Sequence, residues 1–324
     1  MTGLATLPRV SLVAAPTPLQ PASRLSAVIG TQVWFKRDDL TGFGLGGNKV
    51  RVLEYLLGDA LGRGCDCLVT GAGPQSNWAM LAALAARRCG LDPYLEFYGS
   101  PAEAVGNLLL AELAGAQIHY TGELDRASVD DAMAKRAAEL SAAGRRPYLV
   151  PRGGATPLGA AGYVAASLEL ADQLSSLGVR PGQLWLATGS CGTQAGLLAG
   201  GQAVSADHDV VGVSVSRPVE ECVARIVTLR DGVSALLGLP VGAGADVTVL
   251  GGYLGPGYGQ PSPQGEEAAR LVARTEGVFL DPVFGAKAMA CLLDAAAAGR
   301  LAGPVVFLVS GGAPTLFAGP RGSM

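Results

Sequence analysis

The sequence predicts an α/β protein of two domains, each built on a mostly parallel sheet. Short runs rich in β-branched and aromatic residues alternate with longer Ala/Leu-rich stretches from about residue 33 onward, and the two patterns read as strands and helices. The helical stretches are long enough to carry the chain back across a sheet. Right-handed crossovers between parallel strands therefore fit better than a β-sandwich. A chain of 324 residues, 49% of them hydrophobic, also exceeds one simple core and suits two closely packed lobes.

In chain order, the first strand is Val33–Lys36 and the first long helix Lys49–Gly62. Strand Cys67–Thr70 leads into helix Ser76–Cys89, and strand Tyr94–Tyr98 into helix Pro101–Leu113. Strand Gln117–Tyr120 precedes helix Ala127–Ala143, and strand Tyr148–Val150 precedes helix Gly159–Leu177. Strand Leu184–Ala187 opens onto the apolar helix Ala195–Gly200. Strands Val210–Val215 and Val305–Val309 complete the pattern, with helix Pro263–Glu276 between them. No fixed-period repeat or low-complexity linker breaks it. The Gly/Pro-rich stretch Gly251–Pro263 is long enough for a loop to suggest function.

Composition narrows the partners. Charged residues are only 16% and the net charge is -3, which excludes a broad basic surface for nucleic acid and favours a small substrate. Ala-rich stretches such as Leu292–Ala298 are far too short to cross a bilayer. The N-terminus lacks a basic region followed by a long apolar run, so no secretion signal is expected. Six cysteines at 65, 67, 89, 191, 222 and 291 form no disulfide framework. With only His119 and His208 as imidazoles, no metal site is expected either. A reducing cytoplasm fits best.

Ligands of open α/β sheets collect beyond the carboxyl ends of the strands. Four such junctions carry unusual sequence: Gly42–Lys49, Thr70–Asn77, Thr188–Gln194 and Ser310–Pro314. The first satisfies the dinucleotide pattern GxGxxG through Gly42, Gly44 and Gly47, a weak signal in a chain with 47 glycines. That fingerprint also needs an acid at the tip of the next strand, where this chain has Thr70. A Walker loop fails because Asn48 separates Gly47 from Lys49. A nicotinamide enzyme is therefore the weaker reading.

Lys49 opens a helix directly after two glycines and an asparagine. The positive end of the helix dipole, with partial burial, lowers its amine pKa and makes it a candidate Schiff-base nucleophile. A solvated surface lysine is the plain alternative. Gly189, Ser190, Cys191, Gly192 and Thr193 form a strand-to-helix loop whose N–H groups and hydroxyls suit a phosphate. Taken alone, an ordinary N-cap turn explains that loop better. The loop Gly73-Pro74-Gln75-Ser76-Asn77 could cradle a carboxylate, although Ser76 alone reads as a helix cap. Ser310 places a hydroxyl after the last strand, where it could meet a heteroaromatic nitrogen, or simply end a turn. Together these parts are what pyridoxal phosphate and an amino acid require.

The segment Phe35-Lys36-Arg37-Asp38-Asp39-Leu40-Thr41 followed by Gly46-Gly47-Asn48-Lys49 resembles the D-cysteine desulfhydrase and 1-aminocyclopropane-1-carboxylate (ACC) deaminase family. The resemblance continues through Gln75-Ser76-Asn77, Gly189–Gly196, Pro256-Gly257-Tyr258-Gly259, Asp281-Pro282-Val283, Lys287-Ala288-Met289 and Gly311-Gly312-Ala313-Pro314. It implies a fold-type II pyridoxal-phosphate enzyme, similar to tryptophan synthase β. It further implies a large cofactor domain of residues 1–48 and 158–324, a small mobile domain of residues 49–157, and a homodimer. By this resemblance Lys49 bonds the cofactor and carries the α-proton, and Ser76 and Tyr258 complete the catalytic set. Asn77 meets the cofactor's phenolic oxygen, residues 189–193 take its phosphate, and Ser310 faces its ring nitrogen. The substrate then lies among Gly73, Gln75, Ser76, Asn77, Trp78, Tyr258 and Phe284.

The departures from the family bear on the reaction. Phe284 stands where a second tyrosine is common, Gly285 where ACC deaminases carry glutamate, and Ser310 where desulfhydrases carry threonine. A hydroxyl does not hold the ring nitrogen protonated, which suits elimination of a good β-leaving group better than cyclopropane opening. Trp78 replaces a polar residue and reshapes the pocket. Val52 replaces a lysine that assists the phosphate, leaving Arg51 as the nearest basic candidate. Cys191 reads as a small packing residue. The expectation is a pyridoxal-phosphate-dependent lyase that eliminates the β-substituent of an amino acid, releasing a keto acid and ammonia. The alternatives are a β-replacement synthase or amino-acid racemase and, from another class, a noncatalytic amino-acid-binding homologue.

Overall fold

A computed structural model describes residues 2–240 and 247–318. The elements begin with α1 (Thr2–Thr6), β1 (Leu19–Pro21), α2 (Ser23–Ile29), β2 (Val33–Arg37) and α3 (Lys49–Gly62). They continue as β3 (Cys67–Ala72), α4 (Asn77–Arg88), β4 (Asp92–Phe97), α5 (Gly106–Leu113), β5 (Gln117–Tyr120), α6 (Ser128–Ala142) and β6 (Pro147–Leu149). Next come α7 (Pro157–Leu177), β7 (Gln183–Thr188), α8 (Gly192–Ala203), β8 (Asp209–Ser214) and α9 (Val219–Leu237). The last are β9 (Thr248–Leu250), α10 (Pro263–Glu276), α11 (Gly285–Ala297) and β10 (Val305–Val309).

Two sheets result. One has the order β1-β2-β10-β7-β8-β9 and the other β5-β4-β3-β6. Every pairing is parallel except that of β1 with β2, so the expected α/β class with mostly parallel sheets is what forms. The chain leaves the first sheet after β2, builds the whole of the second, and returns at β7.

Burial explains the strand sequences. β10 reads Val-Val-Phe-Leu-Val without a polar residue because helices cover both of its faces. Val306 and Leu308 join α3, α4 and α7 in one core, while Val305, Phe307 and Val309 join α10 and α11 in another. Hydroxyl caps start three helices. Ser76, Thr156 and Ser262 accept N–H bonds from Ala79, Gly159 and Gly265.

The differences from the sequence pattern are local. Strands β1 and β9 have only three residues each, too short to show a period. Helices α2, α9 and α11 are further elements that the pattern does not single out. Helix α5 begins at Gly106, not Pro101, because Val105 before it is extended, φ -129° and ψ 161°. Gly106 has φ +55°, and a Cβ there would sit 2.6 Å from Oε1 of Gln75.

Candidate active site

One cavity collects residues from just beyond the carboxyl end of every parallel strand in both sheets. Lys49 follows β2, Ser76 follows β3, Tyr98 follows β4, Arg126 follows β5 and Arg152 follows β6. From the other sheet come Ser190 after β7, Arg217 after β8, Tyr258 after β9 and Ser310 after β10.

Lys49 is the first residue of α3, and its Nζ donates to Oγ of Ser190 at 3.0 Å and to the carbonyl of Gly153 at 3.4 Å. Burial lowers its amine to about 8, from a lysine's ordinary 10.5, with the neighbouring Cys191 acting weakly the other way. The lysine and the 189–193 turn, separated by more than a hundred residues in sequence, thus meet directly.

In that turn Cys191 takes a left-handed conformation, φ 75°, and Gly192 begins α8. Such a reversal points successive N–H groups to one side, toward the helix N-terminus. Asn48 Nδ2 holds the Thr193 hydroxyl at 3.2 Å. Below it Gln194 is buried, taking a bond from Thr188 and donating to the carbonyls of Val210 and Thr248. The Cys191 side chain packs against Cys222, Ile226 and Leu229. Contact with the Cys222 thiol and burial push its own thiol up, so it stays protonated.

At the β3 junction Gly73, Ser76, Asn77 and Trp78 line the cavity, whereas Gln75 turns away. Its amide brackets the start of α5, donating to the Val105 carbonyl and accepting from Asn107 N, each at 3.0 Å. Gly73 must lack a side chain, since a Cβ would lie 2.6 Å from the Tyr98 hydroxyl. The fully buried Asn107 donates to Oδ1 of Asn77 at 2.7 Å, which leaves the Asn77 NH2 free to donate. Trp78 is anchored through its indole N–H to Thr70 Oγ1 at 2.9 Å.

Arg51 does not face the phosphate turn. Two residues along a helix is a rotation of about 200°, and its guanidinium grips Asp38 and Glu169 on the far side of α3. Val52, with Trp78, packs against Gly154 instead.

On the opposite wall the rings of Tyr258 and Phe284 meet edge to face, with centroids 6.2 Å apart. Burial holds the Tyr258 hydroxyl above its ordinary pKa, so it is a proton donor at neutral pH. Its loop is tied down by Lys287, which is wholly buried and donates to the carbonyls of Leu254 at 2.7 Å and Gly257 at 3.3 Å. Phe284 also approaches Gly189. Gly285 lies outside the cavity lining and donates its N–H to Asp281 at 2.8 Å, as α11 begins. Burial raises the Asp281 carboxyl to about 6, although the N–H groups of Gly285, Phe284 and Val283 oppose this. Ser310 lines the cavity and is held through its own carbonyl, which accepts from Asn48 N at 2.9 Å.

Comparison with known proteins gives the site its family. The family model described as pyridoxal-phosphate dependent enzyme matches residues 10–311. The chain belongs to that family. This pyridoxal-phosphate enzyme is 41% identical over 323 residues to the D-cysteine desulfhydrase of Salmonella choleraesuis (strain SC-B67), covering 97% of each chain. The D-cysteine desulfhydrase of Salmonella paratyphi C (strain RKS4594) matches to the same extent, 41% over 97% of each. Among solved structures, one described as an ACC deaminase homologue superimposes with a TM-score of 0.92 at 38% identity, covering 98% of this chain and 95% of that one. A threonine deaminase of T.th. superimposes at 0.68 and 22% identity, covering 91% and 92%, a likeness of fold alone.

The residues fit the family's cofactor. An amine whose pKa is lowered by burial, a left-handed N–H turn with two hydroxyls, a free Asn77 amide and Ser310 all border one space. Because only the free amine attacks an aldehyde, recombination of cofactor with apoenzyme should quicken as pH rises to about 8 and then level off. Visible absorbance after mixing checks this; a rate that keeps climbing toward 10.5 would show an ordinary lysine.

Proposed function

We propose that the protein is a lyase that eliminates the β-substituent of an amino acid, in the manner of a D-cysteine desulfhydrase, to give a 2-oxo acid and ammonia. The observation that carries this reading is the Lys49 amine, facing Ser190 in the cavity that Ser76 and Tyr258 also border. Pyridoxal phosphate, when bound, supplies the electron sink that makes the substrate's α-hydrogen acidic. Residues 189–193 hold its phosphate, Asn77 its phenolic oxygen and Ser310 its ring nitrogen.

Gly73, Ser76 and Asn77 orient the substrate carboxylate at the N-terminus of α4. Lys49 takes the α-proton. The released pair becomes the Cα=Cβ bond and the β-substituent leaves with its own bonding pair; once the released product has taken a proton at Cβ, water adds to its C=N bond and expels ammonia. Tyr258, protonated at neutral pH, hydrogen-bonds the departing group. Phe284 and Trp78 keep water from the reacting carbons, and Gln75 acts one step back by fixing the loop.

In this reading residues 49–157 form a small domain that closes on the large domain of residues 1–48 and 158–324. Tyr98 and Arg126 are among the residues it brings to the cavity. The enzyme works in the cytoplasm as a homodimer. Its six cysteines are free, as a reducing compartment keeps them, and no helix among the described residues is long and apolar enough to cross a membrane. Solution mass tests the dimer.

The deciding assay incubates holoenzyme with D- and L-cysteine and β-chloroalanine. Stoichiometric ammonia and pyruvate are expected. Amino-acid products bearing a new β-substituent, or inverted amino acid alone, would replace this reading with β-replacement or racemisation.

A further inference from the structure

One carboxylate per substrate does not balance the charge in this cavity. Arg126, Arg152 and Arg217 line it alongside Lys49, and among the described residues no aspartate or glutamate does. Cofactor phosphate accounts for part of that excess. Arg152 and Arg217 lie nearest it, since Gly153 touches Ser190 and Arg217 Nε donates to the Gly189 carbonyl at 3.3 Å.

Both of those arginines are also partly neutralised from outside the cavity. Arg152 makes a two-pronged pair with the exposed Asp130, at 2.9 and 2.6 Å, and Arg217 pairs with the exposed Glu221.

Arg126 differs. Its guanidinium lies 4.2 Å over the Tyr258 ring. Among the described residues it has no ion pair and no hydrogen bond. A guanidinium held over an aromatic ring without a carboxylate partner keeps N–H groups free to donate to an anion. It comes from the loop before α6, on the sheet opposite to the Tyr258 loop. Three like charges around one tyrosine repel each other unless an anion sits among them.

We infer that Arg126, supported by Arg152 and Arg217, forms an anion subsite for the β-substituent, so that the preferred substrates carry a sulfonate, sulfate or phosphate on the β-carbon. This rests on the elimination reading and narrows its substrate class. The α-carboxylate is served by the separate loop at Gly73–Asn77, so the guanidinium is left for the group that departs. As the Cβ–X bond breaks, the pair leaves with X, and an oxyanion leaving group gains charge beside Arg126.

The test compares holoenzyme and Arg126→Gln on both enantiomers of 3-sulfoalanine, serine O-sulfate, O-phosphoserine, β-chloroalanine and cysteine. Wild type should show a higher kcat/KM for an anionic substrate than for β-chloroalanine. In Arg126→Gln that ratio should fall about 10- to 100-fold, the size of a lost hydrogen bond to a charged group, mainly through KM. Arg126→Lys should restore part of it. Equal losses for anionic and neutral substrates would make Arg126 an α-carboxylate anchor or a domain latch and overturn the inference. A wild type without preference would overturn it too.

Should no amino acid yield oxo acid, the elimination reading fails on its own. The subsite is then judged by titrating the visible spectrum with O-phosphoserine and serine. Tighter binding of the phosphoserine, lost in Arg126→Gln, supports it, and equal affinities refute it.

Discussion

Purified Lys49→Ala is expected to lack the visible absorption of a lysine-bound cofactor and to lose elimination by about 10³-fold or more, because one amine serves both covalent attachment and proton transfer. Stability should not fall with it. Lys49 has no carboxylate partner among the described residues, and burial already disfavours its charge, so alanine removes an unfavourable charge and two modest hydrogen bonds. Thermal unfolding of the variant should therefore resemble that of wild-type apoenzyme. This separates it from a misfolded control. A visible band that persists in Lys49→Ala would assign the cofactor bond to another lysine. Activity that persists would move the proton to another base, with Ser76 and Tyr258 among the bordering hydroxyls.

The strand ends explain what was legible in the sequence. Runs such as Val305–Val309 declare themselves because β-branched and aromatic residues fill buried pleats, and Lys49–Gly62 because an apolar stretch that long must be a helix. Four junctions stood out for their glycines, which the backbone needs wherever it turns sharply or passes close to a neighbour. The other contributors carry no such mark. Tyr98, Arg126, Arg152 and Arg217 are single polar residues in ordinary loops, yet each follows a parallel strand. Applying the strand-end rule to every strand, not only to the glycine-rich ones, would have found them. Asn107 was hidden for another reason. It meets Gln75 across two loops, and no local pattern encodes a contact between segments about thirty residues apart. Arg51 shows the cost of counting residues without turning the helix, since two steps from Lys49 lands on the opposite face.

That opposite face yields the largest expected effect on stability. Arg51 is buried and reaches two carboxylates in two-pronged fashion, Asp38 at 2.9 and 2.9 Å and Glu169 at 3.1 and 2.9 Å. Tyr163 and Thr17 donate to Asp38 at 2.6 and 2.8 Å, and Lys36 completes the charge balance on Glu169. The cluster joins the N-terminal segment, β2, α3 and α7, and so fixes the helix on which Lys49 sits. Arg51→Met would leave Glu169 short of a cation and the fully buried Asp38 without its guanidinium partner, a loss of about 3–5 kcal/mol at neutral pH. Its pH course has a definite sign. Burial alone would raise the Asp38 carboxyl, but Arg51, with help from Tyr163 and Lys36, holds the group below its ordinary 3.8. In wild type this stabilisation is present above that value and fades as pH drops through the depressed one. In Arg51→Met the orphaned carboxylate is instead penalised while charged and relieved by acid. The gap between the two proteins should thus be widest near neutrality and close below pH 3.8. Denaturant unfolding across pH measures it, and a gap that stays constant into acid would mean that Arg51 contributes packing rather than charge.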